Sequence, residues 1–167
     1  MSANRVETVP FGRLPPRYTF ALNPRLFARV NQCPDCHVPT EELILPLLVR
    51  VEPDVWIVIR MTCRHCPQCD LLVADRRRLE GAMAAMLMQQ DPSVVGHDYQ
   101  VIGTVQTRTW EAGMRRGAGQ QQLDTQAMLR HVHDFVAVRT LASVGQVSKP
   151  SPAQPAARKA NKKHKRK

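Results

Sequence analysis

The chain has 167 residues, a formal net charge of +10, 43% hydrophobic and only 5% aromatic residues, which is enough for one ordinary domain with its own core. It holds no apolar window of the roughly 18 residues a helical membrane span needs, and residues 1–16 lack the apolar run of a signal peptide, so a cytoplasmic protein with no membrane partner is expected. The charge is uneven: residues 149–167 carry eight basic residues and no acid, whereas residues 1–148 carry 16 arginines against 14 acids.

In chain order, residues 1–16 are rich in proline and polar groups and predict an extended lead-in. Tyr18 to Leu22 predicts a short strand ended by Asn23-Pro24, because a residue before proline is pushed out of the helical region. Leu43 to Val51 and Val55 to Thr62 are rich in β-branched and aliphatic residues, with the turn Glu52-Pro53-Asp54 between them, and predict a β-hairpin. Alternation puts Leu43, Leu45, Leu47, Val49 and Val51 on one face of the first strand, and Val55, Ile57, Ile59 and Met61 on one face of the second. Arg50, Trp56 and Arg60 fall on the other faces. Pro46 cannot donate to a ladder, which predicts a sheet edge or a bulge there.

Asp75 predicts the cap of a helix running to about Gln90, with Leu79, Met83, Met86 and Leu87 at helical spacing and Asp91-Pro92 as the stop. Tyr99 to Thr107 alternates like a strand. Thr109 predicts the cap of a short helix from Trp110, stopped by Gly117 and Gly119, and a last helix is expected from Asp124 or Thr125 to about Leu141. The domain so outlined covers residues 17–142. From residue 143 to 167 the composition turns to Pro, Ala, Ser and Lys, which cannot bury enough apolar area to offset ordering entropy, so a disordered Lys-rich tail is expected.

The five cysteines fall in two groups, Cys33-Pro34-Asp35-Cys36 and Cys63-Arg64-His65-Cys66-Pro67-Gln68-Cys69. In a reducing compartment such spacing favours a metal site or a redox pair over disulfides. Two Cys-x-x-Cys loops present four thiolates to one ion, which suits tetrahedral zinc, and a shell closed by four protein ligands is structural rather than catalytic. The same donors suit a single iron. In such loops amide N–H groups turn toward the sulfurs, and the residue after the second cysteine tends to be left-handed. Asp70 after Cys69 fits that requirement, while Pro67 after Cys66 has φ locked negative and no N–H. Cys33, Cys36, Cys66 and Cys69 are therefore the expected ligands, with Cys63 as the alternative or a spare thiol open to redox chemistry.

These loops resemble the rubredoxin-type knuckles of zinc-ribbon domains, joined by a β-hairpin. They depart from that pattern in lacking a glycine after each second cysteine and in their longer gap. A wider likeness rests on Tyr18 to Pro24, Cys66 to Leu72, and Val101 to Val105 followed by Trp110. Over about residues 17–140 the chain is similar to a family of uncharacterised bacterial zinc-ribbon proteins. The resemblance implies a fold and a metal but no single activity, since ribbons serve transcription, translation and other nucleic-acid-handling proteins.

Other signals have ordinary readings. His131 and His133 are two apart and on a helix would point about 200° apart, so they would not share an ion. His37 and His65 adjoin the cysteine loops and are expected to support ligands or face solvent. Met83, Met86 and Met88 read as core filler. His97-Asp98 lacks a nucleophile nearby in sequence apart from Ser93. No phosphate loop, His-Glu-x-x-His or nucleophile elbow is present, so no catalytic residues are expected. Arg76-Arg77-Arg78 opposes the helix dipole, which hints at an acidic partner, although a solvated charge run is the commoner case.

The sequence thus predicts an α+β protein: a zinc-ribbon hairpin with a small antiparallel sheet, flanking helices and a disordered basic tail. The expected function is non-enzymatic binding. Lys159, Lys162, Lys163, Lys165, Arg166 and Lys167 would attract DNA or RNA phosphates without sequence preference. The alternatives are a protein-interaction adaptor with a structural zinc site and, last, a thiol redox or metal sensor.

Overall fold

The computed structural model describes residues 9–25, 30–115 and 124–141. Residues 1–8 of the expected lead-in, the tail expected to be disordered with its eight basic residues, and the expected stop at Gly117 and Gly119 lie outside the described residues. Seven strands form one sheet in the order β6-β5-β2-β3-β4-β1-β7. They are β1 (Thr19–Asn23), β2 (Glu41–Val51), β3 (Val55–Cys66), β4 (Leu71–Asp75), β5 (Tyr99–Val105), β6 (Val132–Asp134) and β7 (Ala137–Thr140), with helices α1 (Arg76–Gln90), α2 (Thr107–Arg115) and α3 (Thr125–Leu129). Among the described residues no helix is long and apolar enough to cross a membrane.

The hairpin β2–β3 pairs in register from Val51 with Val55 to Glu41 with His65. Pro46 is tolerated because β5 pairs with β2 only from Leu47 onward, so at position 46 one side of β2 has no neighbouring strand to bond. The expected small antiparallel sheet is in fact a larger mixed one, since β1 runs parallel to both β4 and β7.

The expected helix over 124–141 ends at Leu129. Val132, Phe135 and Val138 follow the helix stop and are better used in extended chain: Val132 is fully buried, and Phe135 stacks on Phe20 with ring centroids 4.6 Å apart. Strand β4 is additional to the elements the sequence predicts, and α2 starts at Thr107 rather than beside Trp110.

Only Phe135 and Val136 separate β6 from β7, yet these strands occupy opposite ends of the order. The sheet must therefore curl until its ends approach. Hydrogen bonds from Phe135 N–H to Ile102 O at 2.9 Å and from Val136 N–H to Tyr18 O at 2.8 Å complete the junction. The described part of the lead-in, from residue 9, is tied down: Asp134 accepts from the N–H groups of Phe11 at 2.7 Å and Gly12 at 2.6 Å.

The inner face of the curl holds Phe20, Leu47, Val49, Val51, Ile57, Ile59, Met61 and Leu72, covered by Leu79, Met83 and Leu87 of α1. On the outer face, Leu48, Val58, Ile102 and Val105 pack under Met128, Leu129 and Trp110. At the far end of that outer face, Ala21, Leu71 and Val73 pack with Cys33 and Cys66.

Candidate metal centre

Residues 30–40 form a narrow excursion ahead of β2. Cys33 N–H bonds Val38 O at 2.8 Å, His37 N–H bonds Cys33 O at 2.9 Å and Thr40 N–H bonds Asn31 O at 2.9 Å. The second loop joins β3 to β4, with Cys66 as the last residue of β3 and Pro67 to Asp70 as the turn. His37 (φ 61°) and Asp70 (φ 52°) are both left-handed, and each directly follows the second cysteine of its loop. The left-handed residue turns the chain away once the second thiol is placed, a position Pro67 could not fill after a Cys63–Cys66 loop.

The two loops bring the Sγ atoms of Cys33, Cys36, Cys66 and Cys69 within 4.8 Å of one another, with Cys36 Sγ and Cys66 Sγ 3.5 Å apart. A tetrahedral ion with bonds of about 2.3 Å sets its sulfurs about 3.8 Å apart, so the cluster has room for one such ion. Cys33 and Cys66 are buried and their partners half-buried. Each loop treats its first cysteine alike: the N–H groups of Asp35 and Cys36 turn to the Cys33 sulfur, and those of Gln68 and Cys69 to the Cys66 sulfur.

The thiols of Cys33, Cys66 and Cys69 are shifted in different directions. Burial would raise Cys66, but the N–H groups of Cys69 and Gln68 and the thiols of Cys36 and Cys33 outweigh it and bring it down to about 7. Cys69 is pushed up to about 12, first by its hydrogen bond with Cys36 and then by burial. Cys33 is raised chiefly by burial. One sulfur is thus ready to be a thiolate, while further negative charge in the same small space needs a cation to balance it.

Cys63 is not brought to this cluster. Strand β3 alternates, so Cys63 shares the inner face with Ile57, Ile59 and Met61 while Cys66 shares the outer face with Cys33. The pleat separates the expected alternative ligand from the other four. Burial lifts the Cys63 thiol to about 12, which leaves little thiolate for redox chemistry at neutral pH.

His65 also points inward. Its Nδ1 lies 2.9 Å from Glu41 Oε1 and its Nε2 3.0 Å from Asp70 Oδ1, and its ring meets Tyr18 edge-on at 5.4 Å. Burial opposes the charged ring, but the two carboxylates win and raise its pKa. Because Asp70 also takes Thr19 N–H on its carbonyl at 3.0 Å, this network pins the second loop to β1, β2 and β3. Sequence spacing gave no sign of it, since Glu41 and His65 become neighbours only through the hairpin register.

The remaining signals resolve into structural roles. His131 and His133 lie in a turn and on β6 rather than on a helix, and bond Gln106 Oε1 at 3.4 Å and Pro15 O at 2.7 Å respectively. His97 Nδ1 bonds Glu52 O at 3.0 Å. Arg76 pairs with Glu80 at 2.7 Å, so part of the Arg76–Arg78 run is answered within α1. Asp54 Oδ1 accepts from both Arg50 Nε at 2.9 Å and Trp56 Nε1 at 3.0 Å, which ties both side chains to the hairpin turn. Arg60 is exposed; Met83 is buried and Met86 packs partly buried against the inner core as expected, but Met88 is exposed and is not the core filler its position at the helix suggested. No family model, curated protein or solved structure matches the chain.

Proposed function

We propose that this chain is a non-enzymatic binding protein whose four cysteines hold one structural zinc ion. The observation that carries the reading is the convergence of four sulfurs within 4.8 Å, from two loops that each place a left-handed residue after the second thiol. An ion there would tie the excursion at residues 30–40 to the turn between β3 and β4. The same four thiolates would accept iron, so the test begins with identity. Metal content of the purified chain should be one ion per chain, zinc rather than iron, and cobalt substitution should give the intense visible bands of tetrahedral thiolate ligation. Absence of any ion after purification and after zinc addition would sink the reading.

For the partner, the favoured reading is DNA or RNA, supported by the eight basic residues and no acid in residues 149–167. Each phosphate neutralised contributes about 0.7–0.9 to the slope of log affinity against log salt. Replacing Lys159, Lys162, Lys163, Lys165, Arg166 and Lys167 by Ala in the full chain should therefore flatten that slope. A salt-independent protein partner, retained after nuclease treatment, would favour the adaptor instead.

A further inference from the structure

Strand β7 is the edge of the sheet nearest the cysteines. All four of its residues are exposed, and among the described strands only β1 pairs with it. An exposed four-residue edge has little burial of its own to hold it. Two contacts at its C-terminal end lead to the first cysteine loop. Arg139 Nη2 donates to Asp35 Oδ2 at 2.6 Å, and Asp35 lies between Cys33 and Cys36. Leu141, whose N–H bonds Leu22 O at 2.9 Å, packs partly buried against the group that contains Cys33, Cys66, Leu71 and Val73.

The first loop rests on the sheet through Val30, Cys33 and Val38, which pack with Ala21, Leu71 and Val73. Arg64 reaches Thr40 at its base, through Nη2 to the carbonyl at 2.6 Å and Nε to the hydroxyl at 3.0 Å, while at its tip Cys36 Sγ faces Cys66 Sγ at 3.5 Å. An ion shared with Cys66 and Cys69 would fix that tip against the turn between β3 and β4. Without the ion the tip is free to move, and Asp35 and the packing surface for Leu141 move with it.

Resting on the metal reading above, we propose that cation binding at the four cysteines controls the docking of edge strand β7 on β1, transmitted through Asp35–Arg139 and Leu141. Ion loss then uncovers the edge of β1, a row of backbone groups open to strand addition.

The test is amide hydrogen exchange on the full chain under reducing conditions, zinc-saturated and after stripping with a chelator. Stripping should speed exchange in β7 and at Leu141 at least tenfold and change Leu47–Val51 and Ile57–Ile59 less than twofold. Arg139→Gln should speed β7 exchange severalfold in the zinc-loaded chain. Because linkage is reciprocal, it should also weaken zinc affinity severalfold. One zinc bound per chain with β7 exchange unchanged on stripping would overturn the inference and leave the metal reading standing. Uniformly faster exchange across the sheet would also overturn it, since the ion would then support the whole fold. A chain that takes up no zinc would remove both.

Discussion

At the scale of single residues, the choice among five cysteines was legible because backbone chemistry constrains it. Pro67 cannot be left-handed, whereas Asp70 and His37 are, at φ 52° and 61°. The place of Cys63 was readable from strand period once β3 was known to run to Cys66, but the sequence signal for that strand faded at Thr62. These positions call for different outcomes on substitution. Cys66→Ser or Cys69→Ser should abolish stoichiometric zinc uptake, because a neutral hydroxyl is a poor replacement for a thiolate. Cys63→Ala should retain full uptake and lose about 1 kcal/mol of stability from a small buried void. Metal analysis paired with denaturant unfolding separates the two, and loss of zinc in Cys63→Ala would show that the inner-face placement is wrong.

At the scale of elements, α1 was the most legible segment, since its cap, apolar stripe and stop are all local. Asp75 accepts from Arg78 N–H at 2.9 Å, and Leu79, Met83 and Leu87 are buried. Asp75→Ala should cost about 1 kcal/mol in thermal or denaturant unfolding.

The segment from Val132 to Thr140 was illegible for the opposite reason. Its state is set by what it pairs with, and those partners, β5 and β1, are remote in sequence. Gly103 shows how tight that pairing is: a Cβ there would lie 2.0 Å from the His133 carbonyl oxygen, so Gly103→Ala should detach β6 and destabilise the fold by several kcal/mol, on the order of an overpacked core.

The clasp of α1 on β5 predicts a pH effect. Arg76, helped by Tyr99, holds the Glu80 carboxyl below its ordinary 4.5, against the opposing effect of burial. A lowered carboxylate pKa adds stability that is whole above about pH 4.5 and lost as pH falls through the folded value. The pair is half exposed, so the contribution stays below about 1 kcal/mol. Glu80→Gln should therefore be slightly less stable than the parent near pH 6, with the gap in unfolding free energy closing below pH 4; a constant gap would assign its effect to packing.

At the scale of the whole molecule, the cysteines and the apolar core are separate supports. The inner-face core includes no residue of the four-cysteine cluster, while the cluster packs at one end of the outer face. The hairpin and its inner face could be read from alternation, but the curl could not, since it depends on two residues joining opposite ends of the strand order. This separation predicts a response to metal removal unlike that of a small zinc finger, whose core is too small to hold the fold without its ion. Here the stripped chain should keep its β-sheet circular dichroism and a cooperative melt, at a lower midpoint. A zinc concentration 1,000 times the dissociation constant stabilises the native state by about 4.1 kcal/mol, an upper bound because the cysteines of the unfolded chain also bind zinc. Acid should act in the same direction, because protons compete with the cation for the thiolates. Loss of all sheet signal on stripping would instead show that the ion, rather than the inner core, holds the seven strands together.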